Sequence, residues 1–229
     1  MPERVKMGEV NLKQRRITAW AGVLGPALFV GIFCLECLLR PGYDPKSMYI
    51  SALSLGPRGW IQMANFILLG VLLLVFARGI AAEFPGEKAS RGGPILLTIL
   101  AVLFIVSGFF VMDPMDTPPD QMSVHGLIHG LAGGIVFVLM PVIIFVFQRR
   151  FQGDVNWQSF QRWTLVLGIV EVTAVVVFTI VSKSPQLLAT FSDWIGLIQR
   201  AALVPFMVWV FLFGLNLLRQ QADAPDLTV

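Results

Sequence analysis

Six apolar stretches dictate what this chain can become, for each is near or above the roughly 20 residues that carry a helix across a hydrocarbon core. They read as about residues 17–39, 60–82, 94–112, 123–147, 163–183 and 193–218. Inside a bilayer the backbone must satisfy its own hydrogen bonds, which makes such stretches helices. Connections between them are short, so the spacing predicts an all-α, polytopic transmembrane bundle of six helices, with residues 1–229 as a single domain. The chain is 56% hydrophobic and only 14% charged, where a soluble domain carries about a quarter charged residues. The first stretch exceeds the roughly 7–15 residues of a signal h-region, and no small-residue cleavage site follows it. It reads as a retained anchor.

Lysine and arginine divide unevenly between the two sets of helix ends. Arg4, Lys6, Lys13, Arg15, Arg16, Arg78, Lys88, Arg91, Arg149, Arg150, Arg162 and Arg219 fall at one set, and Arg40, Lys46, Arg58 and Lys183 at the other. The positive-inside rule then predicts that both termini are cytoplasmic. The net charge of +3 restates that bias and implies no nucleic-acid partner.

Polar residues that intrude on the apolar stretches crowd toward the outer ends. Glu36 lies near the end of the first span, Gln62 and Asn65 near the start of the second, and Ser107 and Asp113 at the end of the third. His125 and His129 open the fourth, and Arg200 is early in the sixth. All are expected within roughly 10 Å of the outer face. A charge in a span is expensive and normally faces the bundle interior or a wet cavity. Glu36 and Arg200 therefore predict one polar pocket open to the outside, with interhelical hydrogen bonding or outward snorkelling as the bland reading. Glu171, deeper in the fifth span, is the exception. It is in reach of Arg200 by depth, although helical side chains lean toward their own N-termini, which works against contact.

The two histidines stand at i and i+4 and so share a helix face. With Asp113 or Asp116 across a short turn they make a zinc-type donor set, His125, His129 and Asp113 being the ligands named. The bland reading is a hydrogen-bonded polar pair at a helix mouth. Gly126, Gly130 and Gly134 repeat every four residues beside them, a small-residue face expected to seat a neighbouring helix. Pro26, Pro141 and Pro205 are expected kinks.

Between the first two spans Pro41 and Pro45 stop one helix, Ser47 can cap a two-turn segment, and Gly56-Pro57 ends it. Its near-continuous apolar character predicts a short interfacial or re-entrant helix lidding the bundle, with a loop resting on headgroups as the other reading. Glu36 and Arg40 form an i, i+4 pair. Cys34 and Cys37 lie in an apolar span with no expected cation nearby, so redox work is not expected.

The run Arg40-Pro41-Gly42-Tyr43-Asp44-Pro45, the pattern Ser51-x-Leu53-Ser54-x-Gly56-Pro57-x-Gly59-Trp60, and Met112-Asp113-Pro114 ahead of His125-Gly126-x-x-His129 resemble a prokaryotic family of six-span membrane proteins. That family is catalogued only as a domain of unknown function. The resemblance covers nearly the whole chain; it implies the six-helix fold and a prokaryotic plasma membrane, and no reaction. A fainter likeness is to zinc-dependent ceramidase-like membrane hydrolases, which use an intramembrane His-x-x-x-His, a further His and an Asp; a third His is absent here.

Two functional classes follow. One is a lipid- or isoprenoid-processing enzyme using acid, base or metal groups near the outer leaflet, with Glu36, Asp113, His125, His129 and Arg200 as candidate catalytic residues. The other is a non-catalytic ligand-binding or membrane assembly protein. A small-solute or proton-coupled transporter ranks third, because the inner halves offer little polar lining beyond Glu171 and Asn216.

Overall fold

The computed structural model describes residues 12–83 and 88–222. Arg4 and Lys6, and the side chain of Lys88, lie outside the described residues. The helices are α1 (Leu12–Leu39), α2 (Gly59–Glu83), α3 (Lys88–Phe109), α4 (Val124–Phe151), α5 (Gln158–Lys183), α6 (Pro185–Phe191), α7 (Ile195–Ala201) and α8 (Val204–Ala222). No strand occurs among the described residues. Six segments are long and apolar enough to cross a membrane, the sixth being the composite Pro185–Ala222.

Consecutive spans pack side by side from α1 to α5, and α8 lies against both α5 and α1, which closes the ring. Only a third to a half of each apolar window is buried inside the bundle. The remainder is aliphatic and aromatic surface such as Leu38, Leu131, Val138 and Trp163, the belt that meets lipid tails. One end of the bundle carries the α1–α2, α3–α4 and α5–α6 connections and is called the lid end. The opposite end carries the start of α1 and the end of α8.

Two aromatic clusters fill the interior. Toward the lid end, Phe29 packs on Phe33, Phe66 and Phe104. Toward the other end, Phe147, Phe151, Trp157, Phe160, Trp209 and Phe213 interlock. Lipid tails are as apolar as these rings, so close packing rather than exclusion from water holds the helices together.

Several expectations are corrected in detail. The spans at the end opposite the lid run past their apolar stretches, because charged residues there continue the helices into the interface. Span six is not one helix: α7 stops at Ala201, a turn covers residues 202–203, and α8 restarts at Val204. Pro205 thus occupies the first turn of a helix, where its missing N–H leaves no gap in the bonding of α8 itself, while Pro26 and Pro141 sit inside α1 and α4.

The glycine stripe of α4 seats no helix either. A side-chain carbon at Gly130 or Gly134 would meet nothing within 4 Å. At Gly126 it would collide with the Asp113 carboxylate, so that glycine admits a loop residue.

Candidate functional site

The loop between α1 and α2 folds back over the lid end. Asp44 starts it, accepting from the Lys46 amide at 3.0 Å and from the Ser47 hydroxyl at 2.5 Å, which holds the Asp44 carboxyl below its usual range. The Ser47 hydroxyl, expected to cap a helix, is spent on Asp44. A single 3-10 stretch, Ile50–Ser54, follows, shorter than two α-turns. Its Ile50, Ala52, Leu53 and Ser54 are buried, so the segment is a plug in the bundle mouth rather than a strip lying on headgroups. Arg40 closes its end through hydrogen bonds to the Leu53 and Leu55 carbonyls.

Arg40 is therefore not the partner of Glu36. Glu36 is 3% exposed, and Arg58, just ahead of α2, meets it with Nη2 at 2.5 Å and Nε at 3.2 Å. This two-point geometry is the strong form of the carboxylate–guanidinium contact. Glu36 is engaged in tying α1 to the start of α2.

From the far side α7 clamps the lid. Gly196 presses against the carbonyls of Pro45, Lys46 and Met48, and no side chain fits there. The Leu197 amide donates to the Lys46 carbonyl at 3.1 Å, and the Ile50 amide donates to Gln199 Oε1 at 2.8 Å. Arg200 donates to the Met48 carbonyl at 3.0 Å, to Tyr43 Oη at 2.5 Å and to Cys37 Sγ at 3.4 Å. The Tyr43 hydroxyl in turn faces the Tyr49 carbonyl at 2.9 Å. Burial pushes the Tyr43 phenol up to about 12 against the opposing pull of Arg200, so it stays a donor at any ordinary pH. Arg200 neither snorkels to lipid nor pairs with Glu171. It also places a cation beside Cys37, where none was expected; Cys34 and Cys37 are both free thiols.

Asp113 lies beyond α3, in the α3–α4 loop. Its carboxylate accepts from the Ser123 amide at 2.8 Å and the Ser123 hydroxyl at 2.7 Å. That hydroxyl accepts from the Gly126 amide at 3.0 Å, capping α4. Asp113 thus sits at the positive end of α4 with both oxygens occupied.

The histidines part company. His125 is exposed, its ring 5.1 Å from that of Phe110. His129, one turn deeper, is buried, and its Nδ1 lies 2.8 Å from the Phe110 carbonyl. A carbonyl only accepts, so Nδ1 carries the proton, and in the neutral ring Nε2 is an unprotonated acceptor. Among the described residues no three His, Cys, Asp or Glu side chains group as a metal centre would require.

Asn65 donates to the Phe29 carbonyl at 3.0 Å and to Gln62 at 3.3 Å, a buried bridge between α1 and α2. Of the polar residues singled out by depth, His129 and Ser107 line a common cavity. It holds about 30 Å³ beneath the lid, bounded also by Ser51 and Gln199 and by Phe66, Phe104, Phe137 and Leu203. That space takes about one water. Larger open hollows, of about 500 and 680 Å³, lie far from it against Arg162 and Trp163 and against Lys13, Arg16 and Trp20. Sequence reasoning missed Tyr43, Gly196 and Gln199. The adjacent polar pair Gln199-Arg200 in an apolar stretch was the available signal for the clamp.

A family model described as Protein of unknown function (DUF998) matches residues 23–216. No curated protein and no solved structure matches the chain.

Proposed function

The chain belongs to the family described as Protein of unknown function (DUF998), and from that premise we propose that it is a ligand-binding membrane protein. Its ligand is an apolar molecule with an uncharged polar head, of the lipid or isoprenoid-alcohol class, held beneath the first-loop lid. The division of Lys and Arg supports an extracytoplasmic lid end in the plasma membrane of a prokaryote. A reporter fused after Val229 should accordingly read as cytoplasmic; an exterior readout would reverse the orientation.

One observation carries the ligand class. The cavity under the lid joins aromatic and aliphatic walls to Ser51, Ser107, His129 and Gln199, with no cationic or anionic side chain among its lining residues. Hydroxyl, amide and neutral imidazole groups suit a hydroxyl or carbonyl head and give a phosphate no counter-charge. At about 30 Å³ the closed cavity holds no such molecule, so the reading requires the lid to lift.

Thermal denaturation with added isoprenoid alcohol tests this. Saturating ligand at a hundred times its Kd stabilises a protein by about 2.7 kcal/mol. The purified protein should gain a concentration-dependent shift of that size, and His129→Phe should lose most of it. An equal shift with a hydrocarbon lacking the hydroxyl, or in His129→Phe, would sink the reading.

A second reading, an enzyme, is favoured by the same unprotonated Nε2 of His129, which can take a proton from a bound hydroxyl. Its mark would be a turnover that His129→Phe abolishes while the fold is kept. Glu36, Asp113 and Arg200 are then positioning residues, since their polar atoms already hold α2, α4 and the lid.

A further inference from the structure

Glu171, on the buried face of α5, is 0% exposed, and neither carboxyl oxygen has a hydrogen-bond partner. It faces the break in the sixth span. The amide of Phe206, the third residue of α8, points at the carboxyl without closing a hydrogen bond of ordinary geometry. One turn along α5, Val175 packs in one cluster with Ala202 at the break and Ile195 of α7.

The break is chemically unusual. Pro205 brings no N–H to the first turn of α8, and the Ala201 carbonyl, four residues back, loses the donor that a continuous helix would have supplied. An acceptor and a donor are therefore both left over where the chain interrupts itself. A protonated carboxyl offers one donor and one acceptor; a carboxylate offers acceptors alone.

No charge stands by to balance an anion. On α4 the titratable side chains are His125 and His129 at the lid end and Arg149 and Arg150 at the other, and His129 is engaged by Phe110. On α7 the sole such residue is Arg200, committed to the lid. On α8 it is Arg219, in the last turn. On α6 there is none, and of the groups flanking it Lys183 ends α5 and Asp193 is exposed. An ionised carboxylate alone in a bundle interior is costly enough that the group takes up a proton or the structure moves to find it partners.

We propose that Glu171 is a proton-binding site at the break between α7 and α8, and that gain or loss of its proton shifts α7 and with it the lid. In the protonated state the acid bridges the break, and α7 holds the lid through Gly196, Gln199 and Arg200. On ionisation the carboxylate needs more donors, and the first turn of α8, with its positive end and free amides, supplies them. Moving α8 toward Glu171 pulls on the two-residue turn that joins it to α7. The link to the lid rests on the ligand reading above; the proton site stands without it.

Two measurements on the full-length protein in lipid separate the parts. Infrared difference spectra across a pH titration should contain the C=O stretch of a protonated carboxylic acid in an apolar setting. That band should fade as pH rises, vanish in Glu171→Gln and shift in Glu171→Asp. A band unaltered by either substitution, or no such band, overturns the proton site. Hydrogen–deuterium exchange of the 45–54 backbone is then compared between the wild-type protein and Glu171→Gln at matched pH. The two should agree at low pH, and the wild-type lid should exchange several-fold faster at high pH. Equal exchange at every pH, with the infrared band present, overturns the coupling and leaves the proton site standing. Loss of the pH-dependent lid motion while the isoprenoid-alcohol shift persists would separate this proposal from the ligand reading.

Discussion

Trp209→Ala should cost the bundle about 3 kcal/mol, read as a lower denaturation midpoint of the purified protein in detergent or lipid. Trp209 is fully buried and is in ring contact with Phe147, Phe160, Phe206 and Phe213. Its indole N–H donates to the Thr164 hydroxyl at 3.2 Å, which itself donates to the Phe160 carbonyl at 3.0 Å. Truncating a buried aromatic side chain costs about 3–5 kcal/mol in proteins studied in water. The low end applies here because lipid tails compete for apolar surface, which leaves mainly the lost packing. Trp209→Phe keeps most of the ring contacts and gives up the hydrogen bond, so it should cost only about 1 kcal/mol. If the two variants lose equally, the hydrogen bond to Thr164 rather than the aromatic packing would be the main link between α5 and α8.

The six spans were legible because a membrane leaves the backbone no alternative, and a run of apolar residues says so without reference to neighbours. The resemblance carried by the loop and His motifs likewise led to the family that the chain belongs to. Which end of its helix each polar residue occupies was legible in the same way. Rotation was not. Glu36 can reach Arg40 along its own helix, yet it turns to Arg58, because the carbonyls of the 3-10 stretch claim Arg40. The His pair shares a helix face by spacing, but one turn of depth at the bundle mouth leaves His125 exposed and His129 buried. The sixth span hid its break because residues 199–205 contain nothing that stops a helix except Pro205, which serves equally well as an interior kink or a first-turn residue. Glu171 was noticed for its depth, and its unpartnered state depends on where α8 restarts, which no local pattern records.

Helix contact through glycine is where spacing misled most, and the corrected seam gives the other large effect. Gly214→Leu should abolish accumulation of folded protein, and even Gly214→Ala should lower the denaturation midpoint markedly. A side-chain carbon at Gly214 would lie 2.7 Å from the Ala19 carbonyl oxygen, 2.8 Å from the Val23 amide nitrogen and 2.9 Å from the Gly22 carbonyl carbon. All three are backbone atoms of α1, so no flexible side chain can yield, and α1 and α8 must separate along the seam that closes the ring. Neighbouring Gly22 is as confined, for its added carbon would lie 2.5 Å from the Phe76 ring and 3.2 Å from Gly214 itself. Gly130→Ala is the matched control: it places a methyl group where nothing lies within 4 Å. There the better helix propensity of alanine, up to about 1 kcal/mol over glycine, should make the change neutral or stabilising. Equal damage at Gly130 and Gly214 would mean that the stripe on α4 meets a partner helix, and that the close approach of α1 to α8 does not set the stability of the ring.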